Sequence, residues 1–155
     1  MRTAVAPSPA RAVLLLVAAL ALALGLASAP ATSASAATDK GAVAVKAAST
    51  RSGMPYVYGA AGPSKFDCYG LTQWSYKQAG VKLPRTAAQQ RADLPKIPTK
   101  SLRPGDLVFF HNSSGSVYHV GIYAGDWKIW DAPKPGKTVT KRTIWAKSGV
   151  TFGRV

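Results

Sequence analysis

The pattern of apolar residues divides this chain into two parts, and the change falls near residue 103. Before it, helical spacing predicts helices over residues 38–52 and 68–79, and a polar stretch with three prolines at residues 84–98 includes one predicted helical turn at 86–91. After it, short apolar runs between turn residues predict strands at 107–110, 117–123, 127–131, 138–142 and 151–155. Helices followed by an antiparallel meander predict an α+β domain, with a helix packed on one face of the sheet.

Residues 1–37 have the layout of a secretory signal peptide. A basic start with Arg2 and Arg11 precedes an apolar run at residues 12–26, and residues 27–37 are small and polar with Ala-x-Ala sites. We expect cleavage after Ala36 or Ala37, which makes residues 38–155 a single exported domain with no stable membrane insertion. The alternative is an uncleaved membrane anchor, because residues 12–29 reach the short limit of a bilayer span.

The predicted mature part is strongly basic. Eighteen of the 20 lysines and arginines and all six acidic residues follow residue 37, so residues 38–155 carry a formal net charge of +12. The basic residues are spread along the chain without a dense block, which favours an anionic cell wall or membrane surface over specific binding of nucleic acid. Membrane disruption is a weaker alternative, because the sequence predicts no long amphipathic helix after residue 37.

The single cysteine of the chain, Cys68, is predicted to begin a helix. Asp67 is a good N-cap, Leu71 and Trp74 follow at helical spacing, and Gly80 is typical of a helix end. Unpaired N–H groups in the first helical turn favour a thiolate, which is a nucleophile. The alternative is a buried, inert cysteine, as most free cysteines are. With no second cysteine, an internal disulfide is excluded.

A base for this cysteine must be His111 or His119, the two histidines of the chain. His111 opens a polar loop, where we expect a solvated side chain, whereas His119 lies inside a predicted strand. A three-residue loop at 124–126 would set His119 opposite Asp131, whose carboxylate would accept the Nδ1 proton and leave Nε2 facing outward. A two-residue loop at 125–126 would turn Asp131 to the other face.

Each of these residues has an ordinary structural interpretation when it is considered alone. His119 would be a core histidine bound to backbone groups, and Asp131 would cap the end of a strand. Together with Cys68, however, they have the chemistry of a nucleophile, a general base and an orienting acid. The three residues together therefore indicate nucleophilic catalysis more strongly than any one of them does alone.

Five stretches form a linked set of motifs along residues 55–136. They are Pro55-Tyr56-Val57-Tyr58-Gly59, Phe66-Asp67-Cys68-Tyr69-Gly70-Leu71, Pro104-Gly105-Asp106-Leu107-Val108-Phe109-Phe110, His119-Val120-Gly121-Ile122-Tyr123 and Ala132-Pro133 with Gly136. The set, in this order, resembles the NlpC family of secreted cell-wall cysteine peptidases. The resemblance implies a papain-like α+β fold and hydrolysis of peptide bonds in peptidoglycan stems, commonly between D-glutamate and a diamino acid.

The matched motifs also imply roles for particular residues. The resemblance makes Cys68 the nucleophile and His119 the base, and it makes Tyr56 the tyrosine whose hydroxyl lies near the reacting carbonyl. Two positions depart from the family pattern. Tyr69 stands where the family usually has serine, which can alter the substrate groove, and Asp131 stands where the third catalytic residue is usually histidine. A carboxylate can orient His119 and hold its positive charge more strongly, so we expect activity with a shifted pH optimum.

The sequence thus predicts a secreted or cell-wall-associated cysteine endopeptidase that uses Cys68, His119 and Asp131. It requires no metal or cofactor, and its expected partners are peptidoglycan stem peptides and anionic cell-wall polymers. Two alternatives use the same fold: a non-catalytic wall-binding protein with an inert cysteine, and an acyl transferase that passes the acyl group to an amine. No P-loop, Gly-x-Gly-x-x-Gly motif or Cys/His cluster with metal-ligand spacing occurs in the sequence.

Overall fold

Three α-helices and a five-stranded antiparallel sheet make up residues 39–155, the part of the chain that the computed structural model describes. The helices are α1 (Lys40–Ser49), α2 (Cys68–Gln78) and α3 (Ala87–Asp93), and a 3-10 helix at Thr99–Ser101 precedes the sheet. The strands are β1 (Leu107–His111), β2 (Val117–Gly125), β3 (Lys128–Asp131), β4 (Thr140–Thr143) and β5 (Val150–Gly153). The predicted α+β class is therefore confirmed, while the predicted signal peptide lies outside the described residues.

The sheet separates two apolar clusters. Its order is β4-β3-β2-β1-β5, so β1 to β4 form the predicted meander and β5 returns beside β1. Side chains alternate between the two faces along each strand, as the pleat requires. The helices cover the face that carries Leu107, Phe109, Val120 and Ile122. The opposite face carries Val108, Phe110, Ile129, Ile144 and Phe152.

The turn between β2 and β3 differs from the prediction. Asp126 and Trp127 form it, both with positive φ (51° and 57°), and Gly125 pairs with Lys128 across it. Two successive residues of positive φ give a turn whose twist matches that of the flanking strands. The predicted three-residue loop at 124–126 is therefore wrong, because Trp127 adopts a conformation that its residue type does not signal.

A register shift in β2 nevertheless keeps His119 and Asp131 on one face. The shift lies just before Gly125, where β2 contains an extra residue relative to β3. The pairing beyond it continues with Asp131 opposite Gly121, so Asp131 is diagonal to His119 rather than directly opposite as predicted. Gly121 lies between them and has no side chain to separate them; a Cβ there would come 2.8 Å from Cδ1 of Ile129.

The start of α2 is fixed by its N-cap and by a close approach of the backbone. Asp67 is fully buried, and its carboxylate accepts hydrogen bonds from the N–H groups of Gly70 (2.7 Å) and Gly59 (2.8 Å). Arg85 donates to both oxygens of the same carboxylate, at 3.1 Å and 2.5 Å. A Cβ at position 70 would overlap the carbonyl of Ala60. The helix can therefore begin against this loop only with glycine at position 70.

Gly70→Ala is expected to destabilise the protein by about 1–3 kcal/mol, because the added methyl group must displace backbone atoms. Urea unfolding followed by circular dichroism measures the change. Gly80→Ala, at the other end of α2, is the matched control: its Cβ meets no atom within 4 Å, and only the strain of its positive φ remains. A Gly70→Ala protein as stable as the unmodified one would contradict the close approach at position 70.

Candidate active site

The residues that the sequence predicted to be catalytic lie at one cleft of about 320 Å³. Its lining residues are Tyr56, Cys68, Tyr69, Tyr118, His119, Pro133, Lys134, Arg142 and Trp145. Asp131 is fully buried and contacts His119. His111 is not among the lining residues, so His119 is the histidine that the fold brings to the cysteine.

Cys68 is the first residue of α2 and is only 4% exposed. Burial raises the pKa of Cys68 to about 12, and the nearby charge of Asp67 adds to the rise. Backbone hydrogen bonds from Val120, Tyr69 and Cys68 itself lower this pKa, but they do not offset the loss of hydration. Burial thus opposes the predicted thiolate and favours a resting thiol, and the thiolate stays a prediction.

His119 is oriented by Asp131 through Nε2. This nitrogen donates to Oδ2 of Asp131 at 2.7 Å, and the two side chains are 5% and 0% exposed. The predicted contact through Nδ1 is therefore wrong. With its proton on Nε2, the neutral ring has a lone pair on Nδ1, which hydrogen-bonds to none of the described residues. No hydrogen bond joins the ring to Sγ of Cys68 within residues 39–155, although both groups line the cleft.

The protonation state of Cys68 can be read from its rate of alkylation. Because burial raises the pKa of Cys68 to about 12, we expect slow reaction with iodoacetamide at neutral pH and a steep rise in rate between pH 9 and 12. Mass spectrometry of the labelled protein measures the rate, and Cys68→Ala is the control that must remain unlabelled. Fast labelling at pH 6 that His119→Ala abolishes would instead reveal a resting thiolate–imidazolium pair.

Arg142 is the site residue that sequence reasoning missed. Its Nε donates to Oδ1 and Oδ2 of Asp131 at 2.9 Å and 3.0 Å, and its Nη2 also binds Oδ2. The guanidinium lies 3.9 Å from the ring centre of Trp145, which in turn stacks on Phe110 at 4.1 Å. Arg142 is thereby fixed between the carboxylate and an aromatic pair.

This ion pair changes the expected effect of Asp131 on the histidine. A carboxylate already neutralised by a guanidinium stabilises a positive imidazole less than an isolated carboxylate would. The expectation that Asp131 holds charge on His119 more strongly stays a prediction, and the ion pair with Arg142 acts against it. Arg142 could have been identified only from the pairing of β3 with β4. In that pairing Asp131 lies opposite Thr140, and Arg142 lies two residues further along the same face.

Two tyrosines stand beside the sulfur. Burial, followed by the charges of Cys68 and Asp67, raises the pKa of Tyr56. Burial and the same two neighbours raise the pKa of Tyr69 to about 12, and the guanidinium of Arg85 lies 5.6 Å from the centre of its ring. Both hydroxyls therefore keep their protons at neutral pH and can donate to a carbonyl oxygen. Tyr69, in place of the serine usual in the motif, fills part of the cleft with an aromatic ring.

Neither a metal site nor a membrane-spanning helix is present in the described residues. Within residues 39–155, no group of three or more His, Cys, Asp or Glu side chains is arranged to hold a metal ion. None of the helices there is both long enough and apolar enough to cross a bilayer.

Comparison with known proteins decides the family. The model of the NlpC/P60 family matches residues 53–151, which include all five motifs described above. This chain belongs to the NlpC/P60 family. The papain-like fold that the motifs implied is confirmed as well, because solved NlpC/P60 structures superimpose on residues of this chain.

Proteins similar to this chain include both an endopeptidase and a non-catalytic protein. The bifunctional muramidase/DL-endopeptidase CwlT of Bacillus subtilis is 39% identical over 116 residues, which cover 72% of this chain and 35% of CwlT. NlpC2 from Trichomonas vaginalis has a TM-score of 0.70 at 32% identity, covering 76% of this chain and 47% of that one. RipD of Mycobacterium tuberculosis, described as non-catalytic and adapted to peptidoglycan binding, has a TM-score of 0.65 at 25% identity, covering 75% and 97%. This chain thus spans about a third of the length of CwlT.

Proposed function

We propose that this NlpC/P60 protein is a secreted cysteine endopeptidase that hydrolyses peptidoglycan stem peptides, cutting the bond between D-glutamate and a diamino acid. The observation that carries the proposal is that a candidate nucleophile and a candidate base line the same cleft. Cys68 supplies a thiol at a helix start, and His119 supplies a ring nitrogen whose opposite nitrogen is bound to a buried carboxylate. The name DL-endopeptidase, given to CwlT, supports the choice of bond.

The reaction follows from the hydrogen bonds of the site. Nδ1 of His119 takes the proton of Sγ as the sulfur attacks the carbonyl carbon, because Nε2 is already committed to Asp131. The N–H of Cys68 and the hydroxyl of Tyr56 stabilise the oxyanion that forms. The imidazolium then donates its Nδ1 proton to the departing amine. Water, deprotonated by the same nitrogen, hydrolyses the thioester and releases the new carboxylate.

The supporting residues keep this geometry. Asp131 holds the ring of His119 in one tautomer, and Arg142 holds the carboxylate in place through bonds to both oxygens. Because burial favours the thiol form of Cys68, proton transfer to Nδ1 accompanies the attack of the sulfur. The +12 charge of residues 38–155 would keep the exported enzyme on anionic wall polymer.

Mass spectrometry of defined stem peptides tests the proposal. We expect one new fragment that ends in D-glutamate and one that begins with the free amine of the diamino acid. Protein whose Cys68 has been fully alkylated is the matched control and should release neither fragment. Cleavage at another bond would refute the specificity. Transfer of the acyl group to an added amine at the expense of hydrolysis would identify an acyl transferase instead.

A non-catalytic peptidoglycan-binding protein is the second candidate. The observation that favours it is the thiol of Cys68, which is buried and has no hydrogen bond to His119 in the described residues. RipD, which covers most of the same fold, is described as having such a function. If the protein binds intact peptidoglycan and releases no fragment from it during prolonged incubation, this candidate is favoured over the peptidase.

A further inference from the structure

A second cavity lies between the end of α3 and the region of the sheet where the end of β1 lies beside β5. Its volume is about 330 Å³, and its lining residues are Arg91, Ala92, Leu94, Lys96, His111 and Thr151. It shares none of them with the catalytic cleft. Three of the six can carry positive charge and none is acidic, so the cavity is electrostatically suited to an anion.

Arg91 is a buried cation without a counter-ion in the described residues. Its side chain belongs to a residue only 8% exposed. The guanidinium groups of Arg85, Arg142 and Arg154 each bind a buried aspartate, whereas none of the carboxylates in residues 39–155 lies within 4.0 Å of Arg91. A guanidinium stays protonated even when it is buried, so its charge is costly unless another group compensates it.

Two of the three guanidinium nitrogens of Arg91 hydrogen-bond to described residues. Nε donates to Oγ1 of Thr151 at 3.1 Å and Nη1 donates to the carbonyl of Leu94 at 2.9 Å, while the guanidinium lies 5.7 Å from the ring centre of Phe109. Nη2 hydrogen-bonds to no described residue. Among the described residues, the only fully buried side-chain N or O atom that lacks a hydrogen-bond partner is Oγ of Ser75, so Nη2 is not fully buried. Nη2 is thus at least partly accessible, and Arg91 is one of the residues that line the cavity.

His111 and Lys96 complete the cationic lining. His111 is half-buried, with Nδ1 bonded to the carbonyl of Gly115 at 2.9 Å and Nε2 to Oγ1 of Thr151 at 2.8 Å, so the predicted solvated side chain is wrong. In the neutral ring Nδ1 donates and Nε2 accepts the hydroxyl proton, which leaves the Thr151 oxygen to accept from Arg91. This network fixes the guanidinium in place. Lys96 is exposed, so its ammonium can approach a bound group from solvent.

We propose that this cavity binds a phosphodiester group of an anionic polymer. Such a group offers two charged oxygens, which can accept from Nη2 of Arg91 and from the ammonium of Lys96 together, and it supplies the negative charge that Arg91 lacks. The site is separate from the catalytic cleft, so a polymer held here leaves the cleft open to a stem peptide. It goes beyond the proposed peptidase activity and does not depend on it.

The proposal is tested by titrating the purified full-length protein with poly(glycerol phosphate), using calorimetry and the NMR resonance of Arg91 Nε–H. We expect saturable binding that shifts this resonance. Lys96→Glu should weaken binding about tenfold or more, the loss of one charge-assisted hydrogen bond. Lys100→Glu, the same charge change at an exposed residue outside the cavity, should weaken it only about twofold because solvent and salt screen a distant charge. Arg91 itself is left intact because it also packs on Phe109.

Two further arms identify the ligand chemistry. Inorganic phosphate should shift the same Arg91 resonance at higher concentration, as expected if the phosphate group itself is recognised. Poly-glutamate of equal charge should bind at least about tenfold more weakly than the phosphate polymer. Equal weakening by Lys96→Glu and Lys100→Glu, an unmoved Arg91 resonance, or equal binding of poly-glutamate would each overturn the proposal. Cys68→Ala should bind the polymer like the unmodified protein, so failure of the peptidase proposal is distinguishable from failure of this one.

Discussion

Cys68→Ala is expected to lower the rate of peptidoglycan digestion by about 10³-fold or more, because no other side chain in the cleft can form the acyl intermediate. Cys68 is the single cysteine of the chain, so no second thiol can replace it. The measurement is the release of new amino groups from purified peptidoglycan, with the products identified by mass spectrometry.

The folded state of this variant must be verified at the same time. Cys68 is buried, so its truncation removes some packing, and the thermal unfolding curve should shift only slightly. Cys68→Ser is the closer steric control and should also be strongly impaired, because a hydroxyl is a much weaker nucleophile than the sulfur. Undiminished digestion by a folded Cys68→Ala protein would refute the peptidase assignment and leave a wall-binding protein.

Asp131→Asn is expected to lower kcat by about 10³- to 10⁴-fold while leaving a largely folded protein. Oδ2 of Asp131 accepts from both His119 and Arg142, so the variant must place its NH₂ group either at the Oδ2 position, facing His119, or at the Oδ1 position, facing the N–H of Arg142. The first orientation is the one that changes the tautomer of His119. Nε2 would then have to accept, which moves the ring proton to Nδ1. The nitrogen that must take the proton of Cys68 would no longer be a base. Steady-state hydrolysis of a defined stem peptide gives the value.

Arg142→Gln distinguishes this loss from simple disorder of the site. It keeps the carboxylate and therefore the tautomer of His119, so only the alignment of Asp131 suffers and a loss of about 10- to 100-fold is expected. Comparable losses in both variants would show that position, not tautomer, limits the reaction. Full activity of Asp131→Asn would exclude the carboxylate from the mechanism.

Local rules were sufficient to predict some parts of this site and not others. The start of α2 was predictable because an N-cap and a glycine act within a few residues, and Asp67 caps the helix as expected. The protonation of Cys68 was not, because helix position favours a thiolate while burial by residues distant in sequence favours the thiol. At Cys68 the effect of burial on the pKa exceeds the opposing effect of the backbone groups at the helix start.

The arrangement around His119 shows the same limit. The alternation of side chains predicted that Asp131 shares its face, and this holds, but the turn at Asp126 and Trp127 and the register shift in β2 were not readable from residue types. Which ring nitrogen meets the carboxylate depends on side-chain torsions that periodicity does not encode. Arg142 was missed because its position depends on how β3 and β4 pair, and the Pro135-Gly136 turn in the long connection between them does not by itself set that register.

The bonds of Asp131 connect three neighbouring strands, since His119 belongs to β2 and Arg142 to β4. β4 is one of the two edge strands of the sheet, and local opening costs little free energy at an edge. Fraying of this edge would release Arg142 and misalign the histidine while the helices and the remaining strands stay intact. Catalytic competence in this protein is thus tied to its sheet margin, and it should fail under mild stress before the global fold does.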